Sequence, residues 1–406
     1  KTFFHSTIRM ILLHLSLLQC QSVQFDKQNI TINDSGTIIK FSNTGIIRLL
    51  QSFIDEKLHN AGKVKIADIS LNFLNFVFQL TDISIMDISV EGTGGSVIDQ
   101  SLLIQIPRGF IKLIFQYKIQ QQTYPYSQFL GDGQIDIQAT CQFLWTFEVS
   151  STCPNHLSFF INQPYFNFNK FKLTLNNMNP LIQTLINLIT QLLVEAINPL
   201  LGVTLQNIIV EASAQYENMN MITAYYGEWG FTDTRFLQIS TDKSFISQHQ
   251  SGVICQKVSE SVCRGNSSLK IRPASKVATN NDVQLKISLN QIETMLEYVK
   301  NKFAVSYNDK NIQIVKTGVM VDVFNATVLF ELKPEVRQRP GDTVVFVYLT
   351  VKKIIKGTLD VNTLNLQLEQ AGYCADTYDN QNSSSFKVIY EKDDWVLVGF
   401  NIQKFQ

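Results

Sequence analysis

The stretch Asn177–Glu211, NMNPLIQTLINLITQLLVEAINPLLGVTLQNIIVE, decides the fold: it is long, apolar and almost free of charge, yet keeps polar residues at helical spacing. Asn179 can cap and Pro180 can take the first helical position, so the spacing predicts a helix over Pro180–Ile197. Gln183, Asn187, Thr190 or Gln191, Glu195 and Asn198 fall three or four apart and mark one polar stripe. Apart from Thr184, the rest of the circumference is Leu, Ile, Val or Ala. A helix this apolar needs a large apolar partner, which is a wrapping sheet, a membrane or a lipid. A membrane span needs about 20 mostly apolar residues. Leu173–Val194 carries no charge, but Asn176, Asn177, Asn179, Gln183, Thr184, Asn187, Thr190 and Gln191 make it expensive in hydrocarbon.

The sequence on either side supplies a sheet. Phe41–His59 carries Ile46, Ile47, Leu50, Phe53, Ile54 and Leu58 at spacings of three and four, which predicts a one-faced helix capped by Ser42 or Asn43. The period then switches to two. Val64–Ser70, Asn72–Leu80, Ile83–Val90, Leu102–Ile106, Ile111–Ile119, Gln134–Ser150 and His156–Leu175 read as strands. Gly92–Gly95, Pro107–Gly109 and Gly131–Gly133 read as the turns between them. A second round of helix and strands follows. Ser288–Phe303 places Leu289, Ile292, Met295, Leu296, Val299 and Phe303 on one helical face. Ile312–Leu332, Val344–Lys352, Gly357–Leu368, Phe386–Tyr390 and Trp395–Ile402 have strand character. No counterpart of the long apolar helix is visible in this half.

The 406 residues suffice for two domains, and 28 phenylalanines with only 17% charged residues favour packed structure over disorder. Zero formal net charge gives no general attraction to nucleic acid. By region, Gln21–Gly230 holds eleven basic against sixteen acidic residues. Lys1 and Arg9 precede an apolar run Met10–Leu18 that ends in Cys20-Gln21-Ser22, the pattern of a secretory signal cleaved near Ser22. Sequons at Asn29, Asn33, Asn266, Asn325 and Asn382 agree with export. In an oxidising compartment the close pairs Cys141–Cys153 and Cys255–Cys263 are natural local bridges, with Cys374 left over and the connectivity open. No CxxC occurs and His59, His156 and His249 lack ligand spacing, so no metal and no cofactor are expected. GxSxG, HExxH, GxGxxG and Walker motifs are all missing, which favours binding over catalysis.

The order of an SNTGIIRLLQSFIDEKL helix, KVKIADISLNF and DISIMDISV strands, Cys153 in a turn, the NPLIQTLINLITQLLVEAINPLL helix and a closing DDWVLVGFNIQ strand resembles one known family. It is that of bactericidal/permeability-increasing protein, which includes lipopolysaccharide-binding, phospholipid-transfer and cholesteryl-ester-transfer proteins. The resemblance implies an α+β fold of two tandem units, each a highly twisted antiparallel sheet wrapped around a long helix. A central sheet joins them into an elongated boomerang, and here the second unit lacks its long helix. After the signal peptide read at 1–22, it implies a first lipid-binding unit at 23–230, a central-sheet strand and linker at 231–280 and a reduced second unit at 281–406. The family's usual disulfide from a strand to the long helix has no counterpart, since Thr174–Ile254 contains no cysteine.

The expected site is a slot between sheet and helices, lined by Leu50, Phe53, Ile54 and Leu58 on one side. Leu185, Ile186, Ile189, Leu192 and Leu193 line the other. Pro180–Ile197 would be about 27 Å long, against about 15 Å for the hydrocarbon of one leaflet, so an acyl chain fits. Burying about a dozen methylenes contributes on the order of 10 kcal/mol before the ordering cost. Arg48, Lys57, Lys63, Lys65, Lys170 and Lys172 stand among a larger number of carboxylates, which points to zwitterionic or neutral lipid over lipopolysaccharide. The expected protein is a secreted monomer in the extracellular space or secretory lumen. Its partners are a phospholipid or other acyl lipid and, transiently, a membrane or lipid-particle surface. The alternative is a secreted glycosylated defence or pattern-recognition protein whose aromatic strands bind lipopolysaccharide-like or protein partners without transfer.

Overall fold

Alternating apolar and polar residues extend most of the chain between Ile69 and Leu175 into long strands. The computed structural model describes residues 24–25, 31, 35–48, 64–92, 94–98, 101–151, 153, 155–176, 180–217, 222–223, 230–242, 244–259, 262–264, 275, 278–308, 311–339, 342–376, 385–392 and 394–402. Contacts divide the chain into two compact units. One comprises Leu49–Thr146 and Phe159–Ala212, the other Lys1–Arg48, Phe147–Ser158 and Ser213–Gln406.

The first of these holds a seven-stranded sheet in the order Val64–Lys65, Phe76–Glu91, Ser101–Gln121, Gln128–Val149, Leu157–Leu175. Ile69–Phe73 also pairs with Phe76–Glu91, and Gly94–Ile98 with Ser101–Gln121. Two expected turns are strand interior instead. Pro107 and Arg108 form a bulge between Ile106 and Gly109 inside one strand, so the proline costs a ladder bond without ending the strand. Gly131 and Gly133 lie within Gln128–Val149, where a Cβ at Gly131 would stand 2.7 Å from the Tyr117 hydroxyl and one at Gly133 2.5 Å from the Phe115 ring. These glycines make room for aromatic rings on the neighbouring strand.

The long helix runs from Pro180 to Glu217, 38 residues and about 57 Å, well past the expected end at Ile197. Pro199 is inside it on the exposed face, so the Glu195 carbonyl that loses a helical donor faces water. No helix among the described residues is long and apolar enough to cross a membrane.

In the other unit a six-stranded sheet draws on distant parts of the chain. Its order is Phe236–Thr241, Phe245–Gln250, Thr37–Ser42, Val283–Ser288, Trp395–Phe400, Lys387–Glu391, all antiparallel. Ser42 ends its strand and caps the helical residues 43–48, its hydroxyl accepting from the Gly45 amide at 2.9 Å. Arg48 in turn pairs with the buried Asp282. A short five-stranded sheet (Gln24–Phe25, Val262–Arg264, Ile254–Ser259, Gly230–Asp233, Ile222–Thr223) belongs to the same unit.

The helix Leu289–Phe303 starts on a Ser288 cap and buries Leu289, Ile292, Met295, Leu296 and Val299, as its spacing predicts. A further sheet takes the order Gln313–Val315, Gly318–Val323, Ala326–Arg339, Asp342–Lys356, Tyr373–Asp376. The strand expected over Gly357–Leu368 is in fact a helix, Val361–Glu369. Asp360 caps it through Thr363, and Leu364 and Leu368, four apart, are its buried pair. Glu369 holds the Arg337 guanidinium at 2.6 Å, and that group lies over the Phe346 and Tyr348 rings at 4.3 and 5.0 Å.

Both faces of Val283–Ser288 are buried. Its polar face meets backbone carbonyls: the Gln284 amide donates to the Thr279 carbonyl at 2.6 Å and the Lys286 ammonium to the Ser275 carbonyl at 3.3 Å. Burial first, and Lys40 second, lower the Lys286 pKa to about 8 against the opposing pull of Glu391 and Asp242. The unfolded chain keeps this proton up to an ordinary lysine value, so stability rises as pH climbs from about 8 through that value. Below that window the buried charge is a net cost. Lys286→Met is therefore expected to raise the unfolding free energy near neutral pH by about 2 kcal/mol, a gain that shrinks toward pH ~10. Urea titrations at the two pH values measure both.

Candidate functional site

The long helix meets its sheet through one row of residues. Ile189, Leu193, Ile197 and Leu201 recur every fourth position and are all buried. They share a core with inward residues of three strands: Phe78, Leu80, Ile83 and Ile85; Leu113, Phe115, Tyr117 and Ile119; Ile135, Ile137 and Ala139. Within each of the latter two strands the core residues alternate, as the pleat requires. In Phe76–Glu91 the register shifts after Thr81, which moves the inward set from even to odd numbers. Phenylalanines of the last strand, Phe166, Phe168 and Phe171, and Leu173 and Leu175 pack partly buried against this core. On the opposite side of the helix Gln191 and Glu195 of the predicted polar stripe are exposed, as is Pro199; Asn198 is half-buried, and the side chains of Gln183 and Asn187 lie outside the described residues.

Tyr117 brings a polar atom into this otherwise apolar lining. Its hydroxyl donates to the Asn176 carbonyl at 3.0 Å, just ahead of the helix, and burial first and the Asp132 charge second raise its pKa. The phenol is thus a neutral donor at physiological pH, spanning from the strand to the segment that leads into the helix. Among the described residues no group of three or more His, Cys, Asp or Glu is placed to hold a metal ion.

Of the predicted slot residues, Ile189 and Leu193 lie in the core and Leu192 is half-buried. Leu185 and Ile186 are on the helix, with side chains outside the described residues, and Leu50, Phe53, Ile54 and Leu58 lie outside them altogether. Ile197 and Leu201 also belong to the row; their four-residue spacing continues across Pro199, a proline that reads as a helix end from the sequence.

The expected Cys141–Cys153 bridge does not form: Cys141 is a free, buried thiol. It sits opposite Ile106 in mid-strand, and the eight residues from there to Val149 span about 27 Å of extended chain. A bridge needs Cα atoms within about 7 Å. Burial pushes the Cys141 thiol up to about 12. Cys255 is buried opposite Phe231, and Cys263 pairs with Lys257, its side chain outside the described residues. Of the sequon asparagines, Asn325 is exposed in a turn between two strands, and Asn29, Asn33, Asn266 and Asn382 lie outside the described residues.

No family model and no curated protein matches the sequence. Among solved structures, the crystal structure of lipopolysaccharide binding protein aligns over 92% of this chain and 100% of its own, with a TM-score of 0.59 at 10% identity. The crystal structure of Epiphyas postvittana Takeout 1 covers 44% of this chain and 92% of its own, with a TM-score of 0.30 at 13% identity. P47 of Clostridium botulinum E1 covers 91% and 99%, with a TM-score of 0.23 at 12% identity. The first likeness establishes the fold: the chain is α+β, mostly antiparallel sheet with few helices, on the plan of lipopolysaccharide binding protein.

Two expectations follow. Leu193→Ala and Ile197→Ala should each cost about 2–5 kcal/mol in urea unfolding, against less than about 0.5 for exposed Gln191→Ala. Native protein at pH ~8 should leave Cys141 unmodified by a small maleimide, and denaturation should release one reactive thiol that Cys141→Ala lacks.

Proposed function

We propose that the protein is a secreted lipid-binding and lipid-transfer protein that holds the acyl chains of a phospholipid between the seven-stranded sheet and its long helix. The observation that carries this proposal is the apolar surface, interrupted by the Tyr117 hydroxyl, in which the Ile189–Leu201 row shares a core with inward residues of three strands. A fold shared with a protein described as binding lipopolysaccharide supports a lipid as the partner. In this proposal Leu50, Phe53, Ile54, Leu58, Leu185, Ile186, Ile189, Leu192 and Leu193 line the slot, and Ile197 and Leu201 extend it. The exposed turn at Asn325 suits a glycosylated, exported monomer, and a Cys255–Cys263 bridge belongs to the same proposal. Binding in place of catalysis is the activity, with no cofactor beyond the lipid.

The headgroup follows from charge. Gln21–Gly230 carries eleven basic and sixteen acidic residues, a poor match for a polyanionic lipid, so zwitterionic or neutral headgroups are favoured. The other role considered, a defence protein that binds lipopolysaccharide-like partners, requires the opposite preference. Native mass spectrometry of protein secreted from eukaryotic cells should find one co-purifying phospholipid, exchangeable for added phosphatidylcholine. A clean apo mass without binding of a hydrophobic probe would remove the carrier proposal. Tight, salt-sensitive binding of lipid A in preference to phosphatidylcholine would shift it to the defence role.

A further inference from the structure

Large apolar side chains stand in water at one end of the seven-stranded sheet. The Leu74–Asn75 turn and the Gln122–Ser127 loop lie side by side there, since Phe76 pairs with Gln121 and the Gln122 amide donates to the Asn75 carbonyl at 2.7 Å. Leu74 is 74% exposed, Tyr124 85% and Tyr126 64%, and Leu130 on the adjoining strand is 65% exposed. The two tyrosine rings meet edge-on at 6.5 Å.

Backbone conformation makes these residues harder to explain as ordinary turn residues. Leu74 has φ 52° and Tyr126 φ 56°, a left-handed region that bulky side chains occupy at a cost and that glycine or asparagine would fill more easily. Both side chains are exposed, and the edge contact between the two tyrosine rings leaves Tyr126 mostly in water.

The chemistry of the same end narrows its partner. Ile69–Thr81 and Ile119–Gly131 contain no Asp, Glu, Lys, Arg or His. The charges that border them at this end, Lys118 opposite Leu130 and the exposed Asp132, are of opposite sign, so this end offers no net charge to an electrostatically steered partner such as nucleic acid, an acidic protein or an anionic headgroup. Tyrosine is enriched where apolar and wet regions meet in a bilayer, and leucine inserts beyond it. Asn75, Gln121, Gln122 and Gln128 add neutral donors and acceptors suited to ester carbonyls.

We propose that this uncharged end, with Leu74, Tyr124, Tyr126 and Leu130 as its contacts, is the surface by which the protein seats on the interface of a phospholipid bilayer. The inference rests on the lipid-carrier proposal for its purpose, since a carrier must meet the membrane that it loads from. Seating is by shallow burial of aromatic and aliphatic groups, so it is indifferent to lipid charge and to salt.

Flotation of the full chain with pure phosphatidylcholine vesicles tests this. Wild-type protein should float equally at about 0.05 M and about 0.5 M NaCl, where screening lengths differ about threefold. The triple variant Leu74→Ser/Tyr124→Ser/Tyr126→Ser should float at least about tenfold more weakly. Tyr124→Glu, which changes only one exposed side chain, should also weaken it. Native mass spectra of all three report the carried lipid separately. A variant that loses flotation yet keeps its lipid supports the contact surface; loss of flotation with no lipid in any of them retains the surface and removes the carrier proposal. Equal flotation of variants and wild type, no flotation of the wild type, or wild-type flotation that needs anionic lipid and is abolished by salt overturns the inference.

Discussion

One contact governs the half of the molecule that carries the candidate site: the row Ile189, Leu193, Ile197 and Leu201 pressed against the inward residues of the seven-stranded sheet. Each such side chain contributes roughly 1.5–3 kcal/mol when removed from water, so the row alone amounts to on the order of 10 kcal/mol, comparable with the net stability of a whole domain. A helix apolar around most of its girth has no stable existence apart from that surface. The sheet has the same need, since Phe115, Leu113 and Ile135 share one buried core with that row. The mutual requirement fixes the fold and also makes the lining apolar, which is what an acyl chain would use.

The two units solve burial in different ways. Over the seven-stranded sheet the cover is a 38-residue apolar helix, whereas the second half has the 15-residue helix Leu289–Phe303 and a nine-residue helix tied by Glu369 to an arginine stacked on two aromatic rings. That clamp sits at one place on a sheet whose buried residues are mostly aliphatic, among them Val319, Val321, Val328 and Val347. Its neighbouring sheet buries Lys286 and Gln284 against carbonyls, an arrangement that specifies geometry at the expense of stability. The proposed lipid site is the one beside the long helix.

Much of this was legible in the residues because period and burial coincide. The alternation over Ile111–Ile119 and the three-four spacing over Leu289–Phe303 each had one plausible partner surface, and both elements appear as read. Errors arose where a local signal has two meanings. Pro107 can end a strand or bulge it; Gly131 and Gly133 can turn a chain or admit a ring; Pro199 can stop a helix or ride on its wet face. VNTLNLQLE suits either period, and the Asp360 cap with the Leu364–Leu368 pair settles it as helix. The Cys141–Cys153 pairing failed because sequence proximity says nothing about a straight strand lying between the two. The burial of Lys286 was invisible, since it depends on carbonyls such as that of Ser275 meeting an otherwise ordinary strand. The exposed end at Leu74 and Tyr124 was hidden for a related reason: aromatic residues near a turn read as core until the register places them outside it.

The central claim is that lipid chains lie between the long helix and the inner face of its sheet. Photocrosslinking with a phosphatidylcholine that bears a diazirine near the end of one acyl chain, followed by peptide mapping, addresses it directly. The account predicts adducts on the Pro180–Glu217 helix and on inward residues such as Phe115 and Ile137. Adducts confined to outward-facing residues, or spread without preference along the chain, would contradict it.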